Sequence, residues 1–136
     1  MTRFWITLEQ SFELVMFTLQ NMAGGEIIVP KIPSMRLVDL FEVLAPNAER
    51  LIVGIRPGEK IHETLLTSEE ARHTVELEKY FVILPENREL FDLPNRFGWI
   101  LQSGKKPSDD FVFASHSNGE WLTKESLKII IDQIKI

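Results

Sequence analysis

The sequence contains no cysteine and no long hydrophobic run, and each absence excludes a class of protein. Without cysteine there can be no disulfide, no thiolate metal site and no cysteine nucleophile. The longest apolar runs, such as 51–55 and 129–131, fall far below the roughly 18 residues that a membrane-spanning helix needs. No membrane span is expected, and because the N-terminus also lacks the layout of a secretion signal, a cytoplasmic location is the default expectation.

Basic residues are also scarce. Lys and Arg number 15 against 20 Asp and Glu, so the net charge is −5, and no basic stripe is present. This charge balance argues against duplex nucleic acid as a partner. The hydrophobic fraction of 44%, the charged fraction of 26% and the length of 136 residues are typical of one globular domain with a modest core.

The first half of the chain alternates strand and helix patterns. Residues 2–7 predict a short strand, and Thr7 with Gln10 forms a capping box that predicts the start of a helix. The apolar residues of this helix recur on one face, which is expected to pack inward, at Leu8, Phe12, Val15, Leu19 and Met22. The pattern then predicts, in order, a strand over 26–30, a helix through 37–44, a strand over 51–55 and a short helix over 61–66.

The second half is less regular. A strand is predicted over 79–84, a short strand over 111–114 and a last helix from about Thr123. Residues 86–110 mix Asn, Pro, Gly and Asp with isolated aromatics, which predicts an irregular connection. The expected organisation is therefore an α/β part over 1–85, that connection, and a C-terminal strand and helix over 111–136 packing on the same domain. Because the chain opens directly in a strand, and isolated strands are unstable in water, it is expected to form part of something larger.

One local pattern suggests chemistry. The apolar segment 51–55 leads into Arg56-Pro-Gly-Glu59, and ligands of open α/β sheets bind at the carboxyl ends of strands. Arg56 offers a planar fork suited to phosphate oxygens, and Glu59 could accept hydrogen bonds from the hydroxyls of a ribose. Taken alone the motif is weak, because a surface arginine after a strand is often no more than a solvated end.

Several segments together resemble a known family. They are Met1-Thr-Arg-Phe-Trp-Ile-Thr-Leu-Glu9, Gly24-Gly-Glu-Ile-Ile-Val-Pro-Lys-Ile-Pro-Ser-Met35, Gly54-Ile-Arg-Pro-Gly-Glu-Lys-Ile-His-Glu63 and Phe113-Ala-Ser-His-Ser-Asn-Gly-Glu-Trp-Leu122. In this order they resemble the C-terminal part of inverting UDP-N-acetylglucosamine 4,6-dehydratases, members of the extended short-chain dehydrogenase/reductase superfamily. That family acts in bacterial surface polysaccharide and glycan biosynthesis.

The resemblance implies a fold, a ligand and a site. The fold would be mixed α/β, the C-terminal substrate-binding part of such an enzyme, with the nicotinamide-binding Rossmann half largely absent. The ligand would be a UDP-sugar, UDP-N-acetylglucosamine in the inverting dehydratases, and the complete enzyme would use NADP. Carried over by motif, the substrate-binding residues would be Arg3, Arg56 and Glu59.

The cofactor and proton-transfer motifs of that superfamily are not found. No glycine-rich dinucleotide turn occurs, and the only tyrosine, Tyr80, is followed four positions later by Leu84 instead of lysine. The reaction that the resemblance implies needs a transient hydride transfer, which no side chain can replace. The chain alone is therefore expected to bind no NADP, to contribute no catalytic residue and to be inactive.

Other catalytic motifs fail on spacing. His62-Glu63 would need a second histidine at position 66 to form a zinc-protease helix, and Leu66 stands there. Ser115 and His116 are adjacent, and adjacent side chains rarely converge as nucleophile and base in a regular element. No metal site is predicted.

Two functional hypotheses remain open. In the first, the chain is the nucleotide-sugar binding portion of a 4,6-dehydratase. In the second, it is a non-enzymatic binding or assembly module that associates, through Phe4, Trp5 and the first helix, with a companion chain carrying the cofactor half or within a homo-oligomer. Exposed apolar surface left by the missing half would favour association.

Overall fold

The computed structural model describes residues 1–87 and 89–134 and divides the chain into two compact units. Unit 1 comprises Met1–Trp5, Ile32–Glu63 and Ala114–Ile136, and unit 2 comprises Ile6–Lys31 and Thr64–Phe113. Each unit is thus assembled from separate stretches of sequence. The expected consecutive segments 1–85, 86–110 and 111–136 do not coincide with these units.

Helices and strands are interspersed along the chain, which confirms the mixed α/β class. In chain order they are β1 (Thr2–Phe4), α1 (Leu8–Asn21), β2 (Ile27–Pro30), β3 (Ser34–Arg36), α2 (Leu37–Leu44), β4 (Thr64–Leu66), α3 (Ser68–Ala71), β5 (Thr74–Glu76), β6 (Tyr80–Ile83), α4 (Leu93–Arg96), α5 (Gly98–Ser103), β7 (Phe113–Ala114) and α6 (Lys124–Ile134). The short elements β3, α3 and β5 have too few residues to show a period in the sequence.

Unit 1 contains a two-stranded sheet and the helices α2 and α6. β1 pairs antiparallel with β3, with Arg3 opposite Met35. Helices α2 and α6 pack against each other, and an ion-pair network joins them: Lys124 contacts the carboxylates of Asp39 and Glu42. Asp39 also accepts two hydrogen bonds from Arg36, at 2.7 and 3.1 Å. These charges connect the start of α6 to α2.

Unit 2 contains a three-stranded antiparallel sheet in the order β2, β6, β5. The central strand β6 pairs Val82 with both Ile28 and Val75, and its side chain is fully buried in the core of unit 2. The strand that the sequence predicts over 79–84 is therefore present.

Residues 86–110 do not form the irregular connection that their composition suggests. They contain the two short helices α4 and α5. Leu93 of α4, Ile100 of α5 and Phe97 between the two helices join Val75 and Val82 in the core of unit 2. The prediction was wrong because each helix is too short for a periodic signal. Tertiary packing, and not local propensity, stabilises helices of this length.

Helix α1 begins where expected but presents the opposite face. The capping box of Thr7 and Gln10 is present in both directions. The predicted inward face lies exposed, while Phe17 on another face stacks on Tyr80 with ring centroids 4.3 Å apart. No residue of α1 is fully buried.

Two further predictions were wrong. Residues 51–55 form no strand, and four of their side chains are 61–94% exposed. The short helix expected over 61–66 is replaced by the strand β4. A strand needs a partner ladder, and the described part of the chain provides none for 51–55, so an apolar run alone was insufficient.

The core role of residues 93–100 can be measured. Phe97 is fully buried, so Phe97→Ala should lower the free energy of unfolding by about 3–5 kcal/mol in urea titration. Phe12 is 66% exposed, so Phe12→Ala is the matched control and should change it by less than about 0.5 kcal/mol. Equal effects of the two substitutions would contradict the packing described for α4 and α5.

Candidate nucleotide-binding site

The guanidinium of Arg3 holds the backbone of residues 60 and 61. Its Nη2 donates to the Lys60 carbonyl at 2.8 Å, and Nη1 donates to the carbonyls of Thr2 at 2.7 Å and Ile61 at 3.2 Å. Its Nε lies 3.5 Å from Oε1 of Glu63. With its side chain only 23% exposed, Arg3 donates both to β1, at Thr2, and to the irregular segment, at Lys60 and Ile61. It thereby attaches the irregular segment to β1.

The backbone of β1 reinforces the same attachment. On one edge β1 pairs with β3. Two amides of β1 bond to residues 61–63: the Thr2 amide donates to the Ile61 carbonyl at 3.0 Å, and the Phe4 amide donates to Oε2 of Glu63 at 2.8 Å. Residues 61–63 therefore run beside β1 without forming a regular strand. The segment that follows the Arg56-Pro-Gly-Glu59 motif is positioned by contacts with the first residues of the chain.

The motif itself folds as a tight turn. The Glu59 amide donates to the Arg56 carbonyl at 3.0 Å, and the Arg56 amide donates to Oε2 of Glu59 at 3.1 Å. Gly58 has a φ of +79°, a left-handed conformation that glycine adopts without strain. A Cβ at this position would meet nothing within 4 Å. Glycine is thus favoured here by backbone conformation and not by crowding.

Arg56 and Glu59 are exposed in this turn. Within residues 1–87 and 89–134, no hydrogen bond or ion pair of the Arg56 guanidinium is seen, and only one Glu59 oxygen has a recorded partner. A guanidinium is a planar donor suited to two phosphate oxygens, and a carboxylate oxygen is an acceptor for hydroxyls. The turn therefore presents one donor group and one acceptor group to solvent.

A chain of hydroxyl groups supports the other side of residues 61–63. The Glu63 amide donates to Oγ of Ser115 at 2.9 Å, Oγ of Ser115 lies 2.7 Å from Oγ1 of Thr2, and Oγ1 of Thr2 lies 2.8 Å from Nδ1 of His62. Donation in this order satisfies every bond when Nδ1 is unprotonated. Ser115 is fully buried. Its hydroxyl therefore serves this network and not a nucleophilic role.

His62 and His116 lie beside this network, with ring centroids 4.6 Å apart. Desolvation, followed by the charge of His116, lowers the pKa of His62 below its ordinary value. The lowered pKa favours the neutral ring, which is the form that can accept the Thr2 hydroxyl proton. The two residues hold the loop around position 62 against the segment at 115–116.

Unit 1 also contains two clefts that these residues do not line. One, of about 520 Å³, is lined mainly by Arg36, Asp39 and residues 121–125. The other, of about 380 Å³, lies along Phe41 and residues 48–52. Among the described residues, no cluster of three or more His, Asp or Glu side chains could hold a metal ion.

The structure brings the three sequence-predicted residues into one region of unit 1 with different roles. Arg3 is bonded to Lys60, the residue next to Glu59, while Arg56 and Glu59 occupy the adjacent turn. Sequence reasoning did not identify Glu63 and Ser115 as parts of this region. Both stand in the family motifs, but no local pattern shows their contacts, because their partners lie 52 to 113 residues away.

Comparison with known proteins identifies the family. Residues 1–85 match the model of the family described as polysaccharide biosynthesis protein, so the chain belongs to that family. The inverting UDP-N-acetylglucosamine 4,6-dehydratase of Campylobacter jejuni is 41% identical over 134 residues, which are 97% of this chain and 40% of the relative. A UDP-glucose 4-epimerase of Rickettsia felis is 33% identical over 135 residues, 96% of this chain and 38% of the relative.

A solved structure agrees. Pen from Bacillus thuringiensis matches with a TM-score of 0.75 and 27% identity, over 98% of this chain and 37% of that one. The resemblance to inverting UDP-N-acetylglucosamine 4,6-dehydratases drawn from the motifs is therefore confirmed. The chain spans about two fifths of the length of the relatives it matches. No helix in the described part of the chain has the length and apolar character needed to cross a membrane.

The attachment by Arg3 is open to test. Arg3→Ala removes two hydrogen bonds and an ion pair that hold residues 60–63, so trypsin should cleave after Lys60 several-fold faster, as followed by mass spectrometry. Arg3→Lys should not restore protection, because an ammonium lacks the fork that reaches several carbonyls. Arg72→Ala, at an exposed arginine of unit 2, is the control, and an equal increase there would contradict the role of Arg3.

Proposed function

We propose that this chain is the nucleotide-sugar binding portion of a UDP-N-acetylglucosamine 4,6-dehydratase of polysaccharide or glycan biosynthesis. The observation that carries the proposal is the bonding of Arg3 to the carbonyls that follow the Arg56–Glu59 turn. That bonding presents Arg56 and Glu59 together at the surface. The 41% identity to an inverting dehydratase across nearly the whole chain supports the choice of ligand.

Arg56, Glu59 and Arg3 have different roles in the proposed binding. Arg56 donates to the diphosphate, and Glu59 accepts from the ribose hydroxyls while its other oxygen keeps the turn closed. Arg3 contributes by holding the turn in place, with its charge adding to the positive potential for the phosphates. The proposed site is exposed to solvent on one side, so the remaining contacts to the sugar come from other protein.

We propose further that the oxidation chemistry belongs to polypeptide outside this chain. NADP, when bound to the complete enzyme, supplies the hydride acceptor for the reaction. The alternative function, a non-enzymatic assembly module, uses the same surfaces and differs only in whether a catalytic complex results. The exposed apolar face of α1 favours association in either case.

Calorimetric titration with UDP tests the site. Charge-assisted hydrogen bonds contribute about 1.5–3 kcal/mol each, so Arg56→Ala should weaken UDP affinity roughly tenfold to a hundredfold. Arg72→Ala removes an equal charge from an exposed position of unit 2 and should leave the affinity within about twofold. Equal affinities of the parent chain and Arg56→Ala would show that Arg56 does not contact UDP. An absence of UDP binding by the parent would contradict the proposal that this chain is a nucleotide-sugar binding portion.

The expected inactivity of the chain alone can be tested in an enzyme assay. This chain mixed with UDP-N-acetylglucosamine and NADP should yield no 4-keto sugar, because its sequence contains neither the glycine-rich turn nor the Tyr-x-x-x-Lys pair. The intact Campylobacter jejuni dehydratase is the positive control. Turnover by the chain alone, at a rate proportional to its concentration, would show that it contains a complete active site.

A further inference from the structure

The hydroxyl chain beside residues 61–63 has one hydrogen for each of its three contacts. The Glu63 amide donates to Oγ of Ser115, Oγ of Ser115 lies 2.7 Å from Oγ1 of Thr2, and that oxygen lies 2.8 Å from Nδ1 of His62. The first contact uses the amide hydrogen. The other two need one hydrogen each, and the two hydroxyls supply one each.

A proton on Nδ1 of His62 upsets this count. Histidinium carries a hydrogen on both ring nitrogens, so the contact with Oγ1 of Thr2 then has a hydrogen of its own. One hydroxyl hydrogen of Thr2 or Ser115 is left without an acceptor in the chain. Ser115 is fully buried and Thr2 is 8% exposed, and a buried polar hydrogen without a partner is unfavourable. The complete chain of contacts therefore requires neutral His62.

The charges around His62 act in the same direction. The ring of His116, on the segment at 115–116, has its centroid 4.6 Å away, and Arg3 and the amino group of Met1 add positive charge from β1 and the residue before it. The neighbouring carboxylate, Glu63, is paired with Arg3. Desolvation, followed by these basic groups, lowers the pKa of His62.

The titrating end of the chain of contacts is the end that solvent reaches. His62 is exposed, whereas Thr2 and Ser115 are buried. A proton can therefore reach the ring while unit 1 remains folded. The ordinary histidine pKa of 6.5 lies close to physiological pH, so a modest acidification is enough to change the charge of the ring.

The hydroxyl chain is one of two attachments of the segment that follows the Arg56–Glu59 turn. Arg3 donates to the carbonyls of residues 60 and 61. At Glu63, Oγ of Ser115 accepts from the amide, and the Ser115 amide donates to the carbonyl at 2.8 Å. A loss of the hydroxyl chain would weaken the second attachment and leave the first in place. The position of the turn depends on both.

We propose that His62, Thr2 and Ser115 are positioning residues that form a proton-sensitive latch: neutral His62 fixes residues 61–63 and with them the turn that binds the nucleotide sugar, and protonation of His62 releases them. This inference rests on the proposed function, because it takes the Arg56–Glu59 turn as the UDP-sugar binding turn. The closed latch lowers the pKa of His62, so its stability is complete above the ordinary histidine pKa and is lost as the pH falls below that value.

An NMR titration of the full chain from about pH 8 to about pH 5 tests the latch without nucleotide. The Glu63 amide resonance should shift with the same midpoint as the ring of His62, because a change at Nδ1 redirects the hydroxyl hydrogens that reach Ser115. The midpoint should lie below 6.5. His116→Asn should raise it, since that substitution removes a positive neighbour of His62.

Substitutions at His62 separate the latch from other titrations. His62→Asn places an amide oxygen near the position of Nδ1 that accepts a hydrogen bond and cannot be protonated, so the Glu63 amide should lose the shift seen in the parent. His62→Leu has no acceptor and should show, at every pH, the Glu63 resonance that the parent reaches at low pH. His73→Asn makes the same change at a histidine of unit 2 and is the matched control, which should titrate like the parent.

Binding is then measured by calorimetry with UDP-N-acetylglucosamine. This probe replaces UDP because its diphosphate is esterified at both ends and lacks the terminal phosphate whose second pKa is about 6. The affinity of the parent should fall about threefold to tenfold between about pH 7.5 and about pH 5.5, the effect of one lost hydrogen bond. His62→Asn should keep the neutral-pH affinity across this range, and His62→Leu should bind weakly throughout.

The latch and the proposed function fail in different ways. A Glu63 amide that does not follow His62 in the parent, or that shifts equally in His62→Asn, would overturn the latch. Binding that is insensitive both to pH and to His62→Leu would refute the latch and not the proposed function. Absence of UDP-N-acetylglucosamine binding at every pH, with the Glu63 amide still following His62, would refute the proposed function and not the latch.

Discussion

The contact between the Arg3 guanidinium and the carbonyls of residues 60 and 61 is the interaction on which the candidate site depends. Residues 45–63 contain no helix or strand, so their carbonyls lack the partners that regular structure supplies. An arginine can satisfy several such oxygens at once because its donors lie in one plane at fixed angles. Arg3 acts together with the bond from the Thr2 amide to the Ile61 carbonyl and the bond from the Glu63 amide to Oγ of Ser115, which hold the segment that follows the turn.

Arg3 and Arg56, two arginines of the sequence motifs, have different surroundings. Arg3 is mostly covered, and its donors are directed at backbone oxygens. Arg56 is exposed and open to a ligand. A charged group that is already paired adds less to ligand binding than one that is free to pair, since its existing bonds must be kept or replaced. The proposed function therefore assigns binding to Arg56 and positioning to Arg3.

The failed predictions at α1 and at 51–55 have one physical explanation. In both places apolar side chains that were expected to be buried lie exposed in the described part of the chain. Periodicity reports that a face is apolar, but it carries no information on which chain will pack against it.

The sequence by itself determined the features that depend on neighbours three or four residues apart. These include the capping box at Thr7, the helix over 37–44, the turn at 56–59 and the motifs that identify the family. Only the tertiary structure decided that Arg3 reaches Lys60, that Ser115 is buried beneath Glu63, and that Phe97 belongs to the core. Those contacts join residues far apart in the chain, and their free energy comes from burial and from pairing of backbone groups, which no local pattern encodes.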